Sequence, residues 1–236
     1  AVLTVIQDIE IINQPVTEVK CAGATASFTV NASGAGLSYQ WRRGAATLTD
    51  GGRISGANTA TLVITNVNAG DAATNYNVVI SGAGGICPQS ISTDVTLIVN
   101  PIPDAVALPV YQATCSEVNI TSIQFTGAVP ATTFNWVRDN PGVTGTIGNS
   151  GSGNISGTLV NSTPNPVLVT FTITASANGC PGTAVTATVL VNPSPVTVTT
   201  PGSQAICNGD NIAPVVLSSL TSGTTYTWTR DNPAIT

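Results

Sequence analysis

The fold of this chain is decided by residues 53–78, RISGANTATLVITNVNAGDAATNYNV. Within them, residues 60–64 form a short run, ATLVI, that is rich in β-branched side chains. Such runs favour β-strands, and the Gly, Asn, Ser and Pro clusters that separate them favour turns. Similar runs recur at 27–30, 167–174 and 185–191, and no useful stretch has a helical period. The pattern predicts an all-β chain of antiparallel sandwiches.

The composition excludes several classes of function. The chain has 236 residues, of which 7% are charged, with 6 Lys and Arg against 11 Asp and Glu, and no His. Six positively charged side chains are too few to neutralise a phosphate backbone. We therefore expect no nucleic-acid partner. Without His the usual general base and metal ligand are missing, and the single lysine, Lys20, excludes a phosphate loop of the GxxxxGK type. We therefore predict a non-catalytic protein. Its apolar runs are also far shorter than the ~20 residues of a membrane span.

Several motifs recur at a spacing of 92 residues. The recurring pairs are Asn100-Pro101-Ile-Pro103 with Asn192-Pro193-Ser-Pro195, Cys115 with Cys207, and Trp136-Val-Arg-Asp-Asn-Pro141 with Trp228-Thr-Arg-Asp-Asn-Pro233. A more divergent copy lies upstream, where Cys21 and Trp41 precede Cys115 and Trp136 by 94 and 95 residues. A period of this length is that of a whole domain, because solenoid units are shorter.

The period predicts the domain organisation. Residues 1–7 are expected to be the last strand of a preceding repeat, 8–100 and 101–192 two complete domains, and 193–236 the first half of a third. The chain contains no Met, so we expect an interior slice of a longer polypeptide that continues in both directions. The Asn-Pro-x-Pro linkers favour an extended, bead-like array, because proline fixes φ and lacks an N–H donor.

The first repeat resembles an immunoglobulin domain of the variable or I-set type. The sequence Tyr39-Gln-Trp41-Arg-Arg-Gly44 is similar to its C strand, and residues 53–78 are similar to its D, E and F strands, with Asp71-Ala-Ala73-Thr-Asn-Tyr76 as the tyrosine corner. The resemblance implies that Trp41 and Tyr76 lie in the core. It also implies an ion pair between Arg53 and Asp71 at the end of the sandwich.

The cysteines depart from that family. Val30 and Val78 stand where the family has its inter-sheet cysteines, and Cys21 and Cys87 lie nine residues outside them. Because both shifts would keep antiparallel neighbours opposed, we predict a relocated Cys21–Cys87 disulfide. Cys115 and Cys180 repeat the separation, 65 residues against 66, and are predicted to pair, while Cys207 would pair beyond this sequence. Free buried thiols are the alternative, but they would need no repeated spacing.

The second and third repeats share the Cys, Trp and Asn-Pro-x-Pro positions but lack the tyrosine corner. They are similar to the PKD-like and Ig-like repeats of very large surface proteins of Bacteroidota, including gliding-motility adhesins. That resemblance implies a cell-surface stalk or adhesin and no particular ligand.

The tryptophans and acids have two interpretations each. Trp41, Trp136 and Trp228 each follow a cysteine by 20 or 21 residues, which favours a core ring, although an exposed ring would be a sugar-stacking platform. No cofactor is predicted. Calcium in the linkers is the alternative, but the D-x-D-x-D-G loop is absent, and Asp8 with Glu10 is the densest acidic pair.

Together these observations predict a segment of an extracellular, cell-surface adhesin, built as a structural stalk or filament. Its expected partners are the neighbouring repeats of the same chain and, through the whole protein, surface glycans or other cells. Two alternatives stay open: a carbohydrate-binding array attached to a secreted enzyme, and a self-assembling surface sheath. Low charge with many hydroxyl and amide groups suits variable ionic conditions, because it depends little on screened ion pairs.

Overall fold

A computed structural model describes residues 8–83, 88–140 and 142–231. The chain divides into two compact units. The first unit comprises Ala1–Pro103 with Ser176–Pro181, and the second comprises Asp104–Ala175 with Gly182–Thr236. The described regular structure is predominantly β-strand and includes a 3₁₀ turn, Ala69–Asp71. The predicted all-β class is confirmed.

Eleven strands are described between residues 10 and 100 of the first unit. They are β1 (Glu10–Asn13), β2 (Glu18–Cys21), β3 (Ala26–Thr29), β4 (Asn31–Ser33), β5 (Ser38–Arg43), β6 (Ala46–Thr47), β7 (Ile54–Ser55), β8 (Thr61–Ile64), β9 (Ala73–Ser81), β10 (Ser90–Ile91) and β11 (Val95–Asn100). The main sheet has the order β2-β11-β9-β5-β6, with β10 beside β9, and the facing elements are β3-β8-β7 and β1-β4.

An aromatic cluster fills the core of the first unit. Trp41 and Phe28 are fully buried, Tyr76 is nearly so, and the Phe28 ring lies 6.2 Å from Trp41 and 5.1 Å from Tyr76, centroid to centroid. In β8, whose burial alternates along the strand, Leu62 and Ile64 point inward. This alternation is what a strand with one buried face produces. The three rings join the two sheets.

Twelve further strands are described between residues 106 and 218, and all lie in the second unit except the last residues of β19 and all of β20, which are grouped with the first unit. They are β12 (Val106–Leu108), β13 (Tyr111–Cys115), β14 (Gln124–Thr126), β15 (Thr133–Arg138), β16 (Thr144–Gly145), β17 (Ser150–Ser152), β18 (Leu159–Val160), β19 (Val167–Ala177), β20 (Cys180–Pro181), β21 (Val185–Asn192), β22 (Val198–Thr200) and β23 (Val216–Ser218). The main sheet has the order β13-β21-β19-β15-β17, with β20 beside β19. Two-stranded sheets β12-β14, β16-β18 and β22-β23 complete it.

Trp136 is the large ring in the core of the second unit. It meets Phe171 edge-on at 5.6 Å and is 8% exposed. Gly151 of β17 lies flat against it: a Cβ atom at this position would stand 2.5 Å from Trp136 Cζ2. A glycine is therefore required there, because any side chain would collide with the ring.

Each main sheet contains one parallel pair at its edge. β2 runs parallel to β11, and β13 runs parallel to β21, whereas β11 and β21 run antiparallel to β9 and β19 on their other sides. The two pairs end alike, with Cys21 opposite Asn100 and Cys115 opposite Asn192. This edge decides where the cysteines lie.

Trp228 does not occupy a core, contrary to the expectation for all three tryptophans. Its side chain is 80% exposed. Between residues 193 and 231 the described structure has two short strands, β22 and β23, which pair only with each other. Among the described residues no second sheet faces the ring, which leaves it exposed. The core role predicted for Trp228 is wrong in this structure, while Trp41 and Trp136 are both buried.

Candidate functional site

A closed polar corner lies at one end of the first unit. Arg53 Nη1 and Nη2 donate to Asp71 Oδ2 and Oδ1 at 2.6 and 2.9 Å, which is a bidentate ion pair. The backbone N–H of Asn68 also donates to Asp71 Oδ2 at 2.8 Å, closing a capping box around the 3₁₀ turn. The Tyr76 hydroxyl donates to the Asp71 carbonyl oxygen at 2.7 Å. The structure thus brings together Arg53, Asp71 and Tyr76, three of the residues that the immunoglobulin resemblance singled out.

The electrostatics of this corner follow from those contacts. The hydrogen bond from Arg53, helped by the Asn68 N–H, holds the pKa of the Asp71 carboxyl below its usual value despite burial. The same hydrogen bond raises the pKa of Arg53. Burial raises the pKa of the Tyr76 hydroxyl. Near neutral pH the Asp71 carboxyl is therefore negative, the Arg53 guanidinium positive and the Tyr76 hydroxyl neutral. Because each group is hydrogen-bonded to a neighbour, the corner stabilises this end of the sandwich.

The cysteines pair differently from the predicted scheme. Cys21 is bonded to Cys180, with a Cα–Cα distance of 5.6 Å and a sequence separation of 159 residues. The predicted Cys21–Cys87 and Cys115–Cys180 disulfides are therefore wrong. Cys87 lies outside the described residues. Cys115 is an exposed free thiol, and so is Cys207, whose pairing beyond this sequence stays a prediction.

Strand direction explains the error. The prediction counted nine residues back from Val30 as if along one strand, but β2 and β3 are joined by a turn in which Gly23 has φ +86°. Cys21 therefore lies at the end of the sheet where β11 finishes. In the second repeat, Val167 of β19 pairs with Val191, near the Cys115 end, and the strand then runs 11 residues away before Cys180. At about 3.3 Å per residue, β19 spans roughly 33 Å between its end near Cys115 and the end that precedes Cys180.

A tight hairpin presents Cys180. Ala177 of β19 pairs with Cys180 of β20 across a two-residue turn, Asn178-Gly179, with φ of +51° and +77°. Two left-handed residues are the signature of a type I′ turn, which Asn-Gly adopts readily. Beside the disulfide, Asn100 Nδ2 donates to the Asn178 carbonyl oxygen at 3.1 Å. Sequence reasoning missed these asparagines, although Asn100 heads a repeated motif and Asn-Gly directly precedes Cys180.

Arg138, Asp139 and Asn140 of the repeated Arg-Asp-Asn-Pro motif lie at the end of β15 and directly after it. Arg138 Nη2 donates to the Val143 carbonyl oxygen at 2.6 Å, and its Nε donates to that of Gly148 at 3.0 Å. Asp139 Oδ1 accepts from the Thr170 N–H at 2.6 Å, and Asn140 has φ +58°. Desolvation by burial lowers the pKa of Arg138. These contacts tie the end of β15 to the neighbouring backbone.

The binding sites considered from the sequence have few structural counterparts. Among the described residues, no group of three or more Cys, Asp or Glu is placed to hold a metal ion. A surface cavity of about 410 Å³ in the second unit is bordered mainly by hydroxyl, amide and aliphatic side chains, and the lining described for it includes no aromatic ring. Nor do the described residues include a helix with the length and apolar character of a bilayer crossing.

The architecture defines the class: the chain is a tandem arrangement of Ig-like β-sandwiches. Residues 112–195 match a family model described as a PKD-like domain. The titin I-band fragment I67-I69 is similar in fold, with a TM-score of 0.53 at 16% identity over 82% of this chain and 68% of that one. An E-to-A variant of the same three titin domains gives 0.52 at 17% identity, over 80% and 67%.

A five-domain immunoglobulin fragment of Sidekick-1 gives a TM-score of 0.46 at 19% identity, covering 84% of this chain and 41% of that one. The search of curated proteins returned no match. At such identities the solved structures indicate the fold alone. The likeness to Ig-like and PKD-like repeats is confirmed. This fold is typically non-catalytic, and with a disulfide it is typical of extracellular domains.

Proposed function

We propose that the chain is a non-catalytic stalk or filament segment of a long cell-surface adhesin. In this proposal its Ig-like and PKD-like repeats space an adhesive part of the protein away from the cell. The resemblance to large surface proteins of Bacteroidota supports the proposal, as do the Asn-Pro-x-Pro linkers and the sandwich fold.

The Cys21–Cys180 disulfide is the observation that carries the proposal. It bonds a cysteine of the 8–100 repeat to one of the 101–192 repeat, so a pull on the two ends of the chain bypasses the residues between them. Those residues include the Trp41 and Trp136 cores. A chain that bears tension gains from such a bypass, because the intervening strands cannot be drawn out even when they unfold.

Single-molecule stretching between the chain termini tests this directly. The disulfide should withhold 159 intervals of about 3.5 Å, so complete unfolding should yield about 550 Å less extension than it does in reductant. The Cys21→Ser variant should give the longer extension under both conditions, and Cys207→Ser should behave like wild type. Full extension of the wild type without reductant would contradict the proposal.

A carbohydrate-binding function is the second candidate, and the exposed ring of Trp228 favours it. A flat, solvent-facing indole is the usual platform for a sugar ring. Glycan-array binding by the chain that is lost in Trp228→Ala would support this function over the stalk. Absence of saccharide binding by both chains would leave the stalk proposal in place.

A further inference from the structure

An occupied docking site in the first unit has a counterpart in the second. In the first unit, Cys21 ends β2 opposite Asn100, the last residue of β11, and the Ala22 N–H donates to the Asn100 carbonyl oxygen at 2.9 Å. These two strand ends hold the hairpin 176–181 by the Cys21–Cys180 bond and by the Asn100 Nδ2 hydrogen bond to Asn178. One covalent bond and one directional hydrogen bond define the site.

The second unit rebuilds the same site. Cys115 ends β13 opposite Asn192, the last residue of β21, and the Ser116 N–H donates to the Asn192 carbonyl oxygen at 2.8 Å. The Cys115 thiol is exposed and free. In the part of the chain that the structure describes, the Asn192 side chain makes no hydrogen bond. Both groups that hold the hairpin in the first unit are therefore present and unengaged.

We infer that Cys115 and Asn192 form a docking site for the Asn-Gly-Cys-Pro hairpin of another repeat of this kind, closed by a disulfide to Cys115. The occupant is identified by chemistry: a type I′ hairpin that offers the carbonyl oxygen of its first turn residue to an amide and places a cysteine two positions later. The sequence repeats the Cys-Pro pair at 87–88 and 180–181, one in each complete repeat.

The inference has a consequence for the whole framework. Each repeat would carry one cysteine for the site at its strand ends and one on its hairpin, and the two would join different repeats. Disulfides would then link repeats in series. This arrangement is independent of the stalk proposal, because it would hold equally for an array that binds a ligand.

The bond forms by thiol–disulfide exchange with a low-molecular-weight disulfide as the oxidant. The hairpin cysteine first carries the small thiol as a mixed disulfide. The Cys115 thiolate then attacks the hairpin sulfur, the new S–S bond forms, and the small thiol leaves with the electron pair and takes up the proton that Cys115 released. Thiols and disulfides balance across this step.

Two full-length chains test the site. In the donor, Cys180 is the one cysteine kept, and it carries glutathione as a mixed disulfide. The other four cysteines are replaced by Ser, and Asn100→Ala together with Cys21→Ser removes the site that holds the hairpin in the first unit. The acceptor is the Cys87→Ser chain, which keeps Cys115 and Cys207 as exposed thiols. After equilibration in a glutathione buffer, peptide mapping counts the bonds from donor Cys180 to each acceptor cysteine. Cys207 is the internal control, since among the described residues it lies outside the strands and has no paired strand end beside it.

We expect at least a tenfold preference for Cys115 over Cys207. Asn192→Ala in the acceptor should reduce the preference several-fold, and replacing Asn178 and Gly179 of the donor by Ala should abolish it. Hydrogen exchange of the Asn192→Ala chain should match wild type away from the site, which separates docking from folding. Equal capture by the two cysteines, or equal capture of the donor with the altered turn, would overturn the inference.

Discussion

The two sandwiches share a plan but fasten their ends with different chemistry. In the first unit a charged corner joins the 3₁₀ turn to its neighbours through Asp71 and Arg53. In the second unit a buried neutral amide, Asn161, does comparable work: its Nδ2 donates to the carbonyl oxygens of Asn165 and Val191 at 2.8 and 2.9 Å. Its Oδ1 accepts from the Thr163 N–H and hydroxyl. The same sandwich architecture is thus stabilised at its end by a titratable ion pair in the first unit and by a neutral amide network in the second.

The two core tryptophans show the same divergence on a smaller scale. Trp41 Nε1 donates to the Thr59 carbonyl oxygen at 2.9 Å. Trp136 Nε1 is buried and has no hydrogen-bond partner, and its ring instead lies against Gly151. The repeat therefore preserves the apolar volume of the ring but not the polar contact of its edge, because most of a buried ring's stabilisation comes from the area it removes from water.

Removing the neutral fastener should have the largest effect on the comparison. Asn161→Ala should destabilise the second unit by about 3 kcal/mol, since it strands the buried Val191 carbonyl oxygen, at a cost of roughly 1–3 kcal/mol, and removes the hydrogen bonds to Asn165 and Thr163. Hydrogen exchange, read separately over the two units, measures the loss. Asn119→Ala, at an exposed asparagine, should change little. A loss below that of Asp71→Asn would mean that the amide network is not the stronger fastener.

Neutralising the charged fastener should cost less. Asp71→Asn should destabilise the first unit by about 2 kcal/mol, a value between those of buried and exposed ion pairs because the Arg53 side chain is 38% exposed. Denaturant unfolding followed by the buried Trp41 measures it, with Trp136 and Trp228 replaced by Phe. Asp8→Asn, at an exposed acid, is the matched control. Equal stability of the two variants would show that the corner contributes nothing through its charge.

The pH dependence of stability should show the smallest difference between the two units. The folded pKa of Asp71 lies below its unfolded value, so its contribution is complete above about pH 4 and is lost as pH falls through the folded pKa. Arg53 and Arg43 face this carboxyl and stay charged throughout. The fall in the first unit's free energy of unfolding at acidic pH should therefore be smaller in Asp71→Asn. In Asn161→Ala the corresponding fall in the second unit should be unchanged. If the pH dependence of the first unit's stability were the same in Asp71→Asn and wild type, the Asp71 carboxyl would not be its cause.

The sequence by itself determined the β class, the inward positions of Trp41, Trp136 and Tyr76, and the meeting of Arg53 with Asp71. The β class and the inward positions of Trp41 and Trp136 depend on local alternation and repeat spacing, which a periodic pattern records directly. The inward position of Tyr76 and the meeting of Arg53 with Asp71 are implied by the resemblance of residues 53–78 to an immunoglobulin domain. The sequence did not predict the Asn161 hydrogen-bond network, because only packing distinguishes a buried asparagine from one on the surface.

Only the tertiary structure decided the cysteine pairing and the environment of Trp228. The spacing of Cys21, Cys87, Cys115 and Cys180 is equally regular for bonds within a repeat and bonds between repeats. What selects between them is the direction of β2 and β13, which run parallel to the last strand of their sheets and carry Cys21 and Cys115 to the end where that strand finishes. Strand direction is a property of the folded sheet, because the same alternation of residues fits a parallel or an antiparallel neighbour.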